Sequence, residues 1–204
     1  MNRTTPTVLI VPGLRDHVAD HWQTLLAAKL PKVRSVPPLE QDKLSCAARV
    51  DAIDRALRDI EGPVVIVAHS AGAMMVVHWA ARLGTPSTPG TPDTLDTLGA
   101  RNALAIRGAL LAAPADLETP MPAGYPTLDV LDSNGWLPVP RSALPFPSIV
   151  AASSNDPLAR LDRTRELARC WGSRLVELGA VGHLNPNSGF GEWPGADELI
   201  HALS

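Results

Sequence analysis

The chain has 204 residues, of which 45% are hydrophobic and 19% charged, a composition that suits one compact domain and excludes disordered or fibrous classes. Eighteen Lys and Arg against 21 Asp and Glu leave a formal charge of -3; the two signs are interleaved, which speaks against nucleic acid or an anionic membrane surface as partner. No apolar run reaches membrane-spanning length, Met1 to Pro6 lack the pattern of a signal peptide, and Cys46 and Cys170 are too few for a disulfide framework, so a cytoplasmic protein with free thiols is expected.

In chain order, Thr7 to Val11 is a continuous apolar run cut off by Pro12-Gly13, which suits a strand buried on both faces of a parallel sheet. Trp22, Leu25, Leu26 and Leu30 then recur at helical spacing, predicting a helix over about Ala19 to Leu30 that Pro31 stops. Lys32 to Val36 is a weaker strand. Ser45 can cap a helix whose apolar stripe is Val50, Ile53, Leu57 and Ile60, ended by Gly62-Pro63. Pro63 to Ala68 is the clearest buried strand, and Ala73 to Leu83 reads as a helix that is apolar on nearly every side.

Gly84 to Gly99 is a threonine and proline triplet run, with Thr85, Thr88, Thr91, Thr94 and Thr97 in step. It cannot bury enough apolar surface to fold, so residues 84–101 are expected to form an exposed, mobile insertion. Ile106 to Ala113 and Ser148 to Ala152 supply further strands, Leu158 to Trp171 a helix, Arg174 to Leu178 a last strand and Ala196 to Leu203 a closing helix. Pro114 to Pro147 shows no sustained period and is expected to wander over the carboxyl edge of the sheet, where it would help to wall a pocket together with Gly13 to His21. The alternation predicts one domain over 1–204: a three-layer α/β/α sandwich around a mostly parallel sheet of about six strands.

Ala68-His69-Ser70-Ala71-Gly72 lies between a buried strand and a helix, the position at which a nucleophile elbow holds a serine in a strained turn above the sheet. Alanine stands at position 68 where that motif has glycine, so one methyl group must be tolerated beside the turn, and by itself Ser70 reads equally as a helix cap. Asp156 follows the strand Ser148 to Ala152, where an orienting carboxylate is expected. Standing before Pro157, it also reads as an ordinary helix start. His183 lies in the glycine-containing loop Val181 to Asn185 after the last strand, placed to act as general base. The order Ser70, Asp156, His183 is that of α/β-hydrolases and not of chymotrypsin-like or subtilisin-like enzymes. The backbone N–H groups of Ala71 and Leu14 are the expected oxyanion donors. The remaining histidines show no metal-ligand spacing and no phosphate loop is present, so neither metal nor cofactor is expected.

A wider set of motifs carries a resemblance. Val11-Pro12-Gly13 with His21-Trp22-Gln23, the elbow at 68–72, Ala113-Pro114-Ala115-Asp116, Leu144 to Ser148 leading to Asn155-Asp156-Pro157, and Gly182-His183-Leu184-Asn185 with Ser188-Gly189-Phe190-Gly191 together resemble the retinoblastoma-binding protein 9 family of serine hydrolases. The resemblance implies a small α/β-hydrolase fold, a triad at Ser70, Asp156 and His183, and esterase-like activity on small esters or amides. Arg15-Asp16-His17 departs from the smaller polar residues expected near the oxyanion loop. Leu44-Ser45-Cys46-Ala47-Ala48 lacks the glutamate of the Leu-x-Cys-x-Glu motif, which argues against retinoblastoma protein as partner. His21 and Trp22 read as packing residues. A small ester or amide is the expected substrate, with carboxylesterase ahead of amidase, peptidase or acyltransferase. A catalytically weak scaffold of the same fold is the contrasting reading.

Overall fold

The computed structural model describes residues 5–83 and 106–204, so the threonine and proline insertion expected over 84–101 lies outside the described residues. The described elements run β1 (Thr7–Val11), α1 (Trp22–Lys29), β2 (Val33–Ser35), α2 (Cys46–Arg58), β3 (Val64–His69), α3 (Ala71–Leu83), β4 (Ile106–Ala112), α4 (Leu128–Ser133), β5 (Ser148–Ala152), α5 (Leu161–Cys170), β6 (Arg174–Glu177) and α6 (Gly195–His201). Six strands pair in the order β2-β1-β3-β4-β5-β6, every neighbouring pair parallel. The chain first winds outward from β1 to β2 and then returns to lay β3 on the other side of β1. The carboxyl ends of β1 and β3 therefore flank a topological switch point, where the two loops diverge and leave a crevice.

Period-two alternation sorts the strand residues onto two cores. Leu9, Val11, Val64, Ile66, Ala68 and Leu111 pack with the apolar stripes of α2, α3 and α5. Val8, Ile10, Val65, Val67 and Leu110 pack on the opposite face with Trp22 and Leu26 of α1 and Ala196 and Ile200 of α6. Both faces of the sheet are thus covered, which explains why β3 reads as an unbroken apolar run. Three buried tryptophans of the first core find acceptors for their indole N–H groups: Trp79 on Asp54, Trp136 on the Leu44 carbonyl and Trp171 on the Pro140 carbonyl.

Several boundaries differ from the sequence expectation for local reasons. α1 starts only at Trp22 because His21 caps it, its Nδ1 accepting the Gln23 N–H at 3.2 Å. Ser45 caps α2 as expected, accepting the Ala48 N–H, but Ile60 falls beyond the helix. The segment 114–147 is not wholly irregular: Thr127 caps the short helix α4, which a six-residue span is too brief to reveal by periodicity. α5 begins at Leu161 and not near Leu158, because the chain first makes a turn at Pro157-Leu158. Among the described residues no helix is long and apolar enough to cross a membrane.

Candidate active site

The turn that carries Ser70 follows directly from how β3 ends. Ser70 has φ 57°, a left-handed conformation that costs an L-residue about 1–2 kcal/mol and persists only where its surroundings hold it. The Ser70 N–H donates to the Ala112 carbonyl of β4, and the Ala73 N–H donates to the Ser70 carbonyl as α3 begins. The turn is tight because α3 passes close over the end of β1. A Cβ on Gly72 would lie 2.4 Å from the Val11 oxygen and 2.6 Å from the Pro12 oxygen, so only glycine fits. Ala68, by contrast, is fully buried in β3 between Val11 and Leu111, and its methyl group is part of the core.

The structure brings the three predicted residues together from three loops at the carboxyl edge. The Ser70 hydroxyl lies 2.8 Å from His183 Nε2, and His183 Nδ1 lies 2.8 Å and 3.0 Å from the two Asp156 oxygens. Side-chain exposure of the His183–Asp156 pair is 5% and 3%, so little water competes for these bonds. An imidazole that donates Nδ1–H to a carboxylate presents an unprotonated Nε2 to the serine hydroxyl. Asp156 also accepts the Leu158 N–H at 2.8 Å. Its capping role is therefore real, but it caps a turn and not the start of α5.

The histidine loop is itself braced. The Gly182 N–H donates to Asn155 Oδ1 at 2.7 Å, tying this loop to the one that carries Asp156, and the His183 N–H donates to the Ser188 hydroxyl. A Cβ on Gly182, whose φ is 57°, would meet the Ser188 side chain at 2.5 Å. His69, which sequence reasoning passed over, contributes a third brace. Its Nε2 lies 2.9 Å from the His183 carbonyl, and since a carbonyl oxygen only accepts, His69 donates. Its ring is sandwiched between His21 at 4.6 Å and His183 at 4.8 Å. Burial, then the neighbouring His183 and His21, hold the His69 pKa well below its usual value despite the opposing effect of the carbonyl bond. Burial and the proximity of His183 lower that of His21 to about 4. Both rings are thus neutral at pH 7.

Gln23 is a second residue whose role the sequence did not reveal. Its buried amide donates to the carbonyls of Val11 and Val67 at 3.2 Å and 3.0 Å, clamping the ends of β1 and β3 across the switch point. Trp22 packs edge-on against His69 and Trp193. The His21-Trp22-Gln23 motif therefore holds the floor of the site.

The two residues expected to supply oxyanion donors border the same space. Leu14 and Ala71 both line a cavity of about 330 Å³ that also contains Ser70 and His183. As the first residue of α3, Ala71 has no intrahelical acceptor for its N–H, and the N-terminal end of a 13-residue helix favours negative charge. The Leu14 N–H donates no hydrogen bond among the described residues. Its loop is held from α2 by Arg49, whose side chain is 4% exposed. The guanidinium pairs with Asp16 and donates to the Lys43 carbonyl, with a longer contact to the Leu14 carbonyl. The departure at Arg15-Asp16-His17 thus has a structural partner at position 49, which no local pattern could have shown. Further wall comes from Ala115 to Pro126, as the sequence suggested, and from Leu44, Leu158 and Asn185 to Asn187, which it did not. Among the described residues no group of three or more metal-ligating side chains is placed to hold an ion. Cys46, 4% exposed, sits in the first turn of α2, so the Leu44 to Ala48 segment is a helix start whose cysteine is buried.

Comparison with known proteins agrees with this architecture. The chain matches a YdeN-like hydrolase from Pectobacterium atrosepticum with 28% identity and a TM-score of 0.73, over 97% of this chain and 91% of that one. It matches the ydeN gene product of B. subtilis with 17% identity and a TM-score of 0.69, over 98% of each chain. The RedJ thioesterase of the prodiginine biosynthetic pathway in Streptomyces coelicolor shares the fold at 15% identity, with a TM-score of 0.60 over 97% of this chain and 89% of that one. No curated protein matches the sequence. The serine hydrolase family matches residues 8–202. The six-stranded α/β-hydrolase sheet and this match together place the chain in the serine hydrolase family, the same family as the retinoblastoma-binding protein 9-like enzymes that its motifs resemble.

Proposed function

We propose that this protein is a carboxylesterase-like hydrolase of small esters, in which Ser70 is the nucleophile, His183 the general base and acid, and Asp156 the residue that orients His183. The observation that carries this reading is the unbroken line of bonds from Ser70 Oγ through the His183 ring to Asp156, opening into a cavity that Leu14 and Ala71 also line. His183 Nε2 takes the hydroxyl proton as Ser70 Oγ bonds to the carbonyl carbon, and the oxygen that becomes negative is received by the Leu14 and Ala71 N–H groups. The tetrahedral adduct collapses by breaking the bond to the leaving oxygen, which accepts the proton from His183. Water then attacks the acyl-enzyme, giving a proton to His183, and the second collapse releases the acid and returns that proton to Ser70.

Apolar side chains of Leu14, Leu44, Leu117, Met121 and Leu158 line a cavity whose wall is mainly apolar, which suits a short acyl chain or aryl alcohol more than a polymer. Two unpaired thiols, one buried, suit a reducing cytoplasm.

A fluorophosphonate probe tests the mechanism. Wild-type protein is expected to be labelled covalently and Ser70→Ala to remain unlabelled, while Asp156→Asn should slow labelling by about three to four orders of magnitude by disturbing the histidine tautomer. A folded wild-type protein that is neither labelled nor active on para-nitrophenyl esters would overturn the hydrolytic reading in favour of a scaffold.

A further inference from the structure

We infer that the site selects esters carrying an anionic group, a carboxylate or its equivalent, a few bonds from the scissile carbonyl, and that Arg15 is the residue that recognises it. This inference rests on the hydrolytic reading above and adds the substrate class to it.

The cavity wall contains two side chains that are charged at neutral pH irrespective of substrate, Arg15 and Asp16. They are not equivalent. The Asp16 carboxylate is half-buried and paired with Arg49, which does not line the cavity, so its charge is offset from behind. His21 and His69 also line the cavity, and burial keeps both neutral. Arg15 has no carboxylate partner among the described residues; its guanidinium lies over the ring of Tyr125, 5.7 Å from the centroid. The site therefore carries an uncompensated positive charge inside a protein whose formal charge is -3. A ring on one face of a guanidinium leaves its in-plane N–H donors free, and those are the atoms that grip a carboxylate in a two-pronged manner.

Position relative to the chemistry is set by the backbone. The Asp16 N–H donates to the Gly13 carbonyl at 3.0 Å, closing a tight turn whose two central residues are Leu14 and Arg15. The proposed oxyanion donor and the guanidinium thus belong to consecutive residues of one turn, and Arg49 anchors that turn to α2. An anion held by Arg15 is tethered close to a carbonyl held by the Leu14 N–H. Tyr125, which also lines the cavity, holds the exposed Arg15 side chain against the cavity wall.

The test compares matched pairs of esters. The para-nitrophenyl half-ester of glutaric acid against para-nitrophenyl pentanoate places the charge in the acyl half. Acetylated para-hydroxybenzoate against acetylated para-hydroxybenzamide places it in the leaving half. In at least one pair, wild-type kcat/KM is expected to favour the anionic ester by about fivefold at low ionic strength, with the ratio shrinking as salt is added. Arg15→Gln should bring that ratio to one or below, Arg15→Glu should invert it, and Arg15→Lys should restore most of it. Taking the ratio within each variant cancels any general loss of fold or of active sites. A neutral preference in both pairs, or a ratio indifferent to Arg15→Glu, overturns the inference while leaving the esterase reading intact. Absence of Ser70 labelling overturns the esterase reading first, and the inference with it.

Discussion

Replacing Gly72 by alanine puts a single methyl group against the backbone that joins β1 to the turn at Gly13 to Asp16. The added Cβ would lie 2.4 Å, 2.6 Å and 2.9 Å from Val11 O, Pro12 O and Pro12 C, and reaching even the 3.0 Å lower limit of real contacts requires a relative shift of about 0.6 Å. None of the three atoms belongs to a side chain that can rotate away. The Val11 carbonyl is additionally held by Gln23, so the shift must fall on the start of α3. The stability cost is about 1–3 kcal/mol, as for other overpacked interiors. The larger effect is functional, because the same movement separates the Ala71 N–H from the Leu14 N–H and tilts Ser70 away from His183. A misplacement approaching 1 Å at a reacting centre costs about a hundredfold in rate. The assay is the pseudo-first-order rate of fluorophosphonate labelling, measured alongside a urea denaturation midpoint. Gly62→Ala serves as control: with φ 85° and no atom within 4 Å of its Cβ, it carries backbone strain without crowding, at the far end of β3. Gly62→Ala should lose stability yet label at the wild-type rate. Labelling of a folded Gly72→Ala protein within about twofold of wild type would refute the claim that close approach of α3 to β1 sets the site.

Other perturbations probe the surrounding supports. Ala68→Gly restores the glycine usual in the elbow but removes a buried methyl group and loosens the central strand; it should destabilise by about 1 kcal/mol with no gain in labelling rate, and a faster, equally stable variant would contradict the packing argument. Arg49→Met strands the Asp16 carboxylate in a half-buried setting and should cost about 3–5 kcal/mol and lower kcat more than it raises KM; adding Asp16→Asn should recover part of the stability, and no recovery would mean that the pair is not coupled. Acid should weaken the fold through the cluster of His21, His69 and His183. The folded protein holds His21 at about 4 against a usual 6.5, so between these values the unfolded chain binds the proton that the folded chain excludes. The contribution is complete above pH 6.5 and is lost as pH falls toward 4, reaching about 3 kcal/mol for His21. His21→Asn keeps a capping oxygen but cannot titrate, and the pH dependence of its denaturation midpoint over that window should be shallower than that of the wild type; identical slopes would exclude His21 as the source.

Much of this architecture is legible without coordinates because its signals are local. A strand buried on both faces must be apolar at consecutive positions, which exposes β1, β3 and β5, and an amphipathic helix must repeat its apolar residues every three to four, which exposes α2 and α5. The order Ser70, Asp156, His183, each just beyond a strand, is enough to nominate the three residues, because a parallel sheet delivers every strand's carboxyl end to one edge. α4 escaped because six residues span less than two turns, and the start of α5 was misplaced because an aspartate before proline caps a turn as readily as a helix.

What the sequence determined by itself is the six strands, most of the helices and the nomination of Ser70, Asp156 and His183, since these depend on residues close together in the chain. Only the tertiary structure decided which distant groups meet: Gln23 across β1 and β3, His69 on the His183 carbonyl, Asn155 on Gly182, and Arg49 on Asp16. These contacts join residues with no periodic or local relation; those of Gln23, His69 and Arg49 exist because a buried donor or charge must find a partner once the fold has removed it from water.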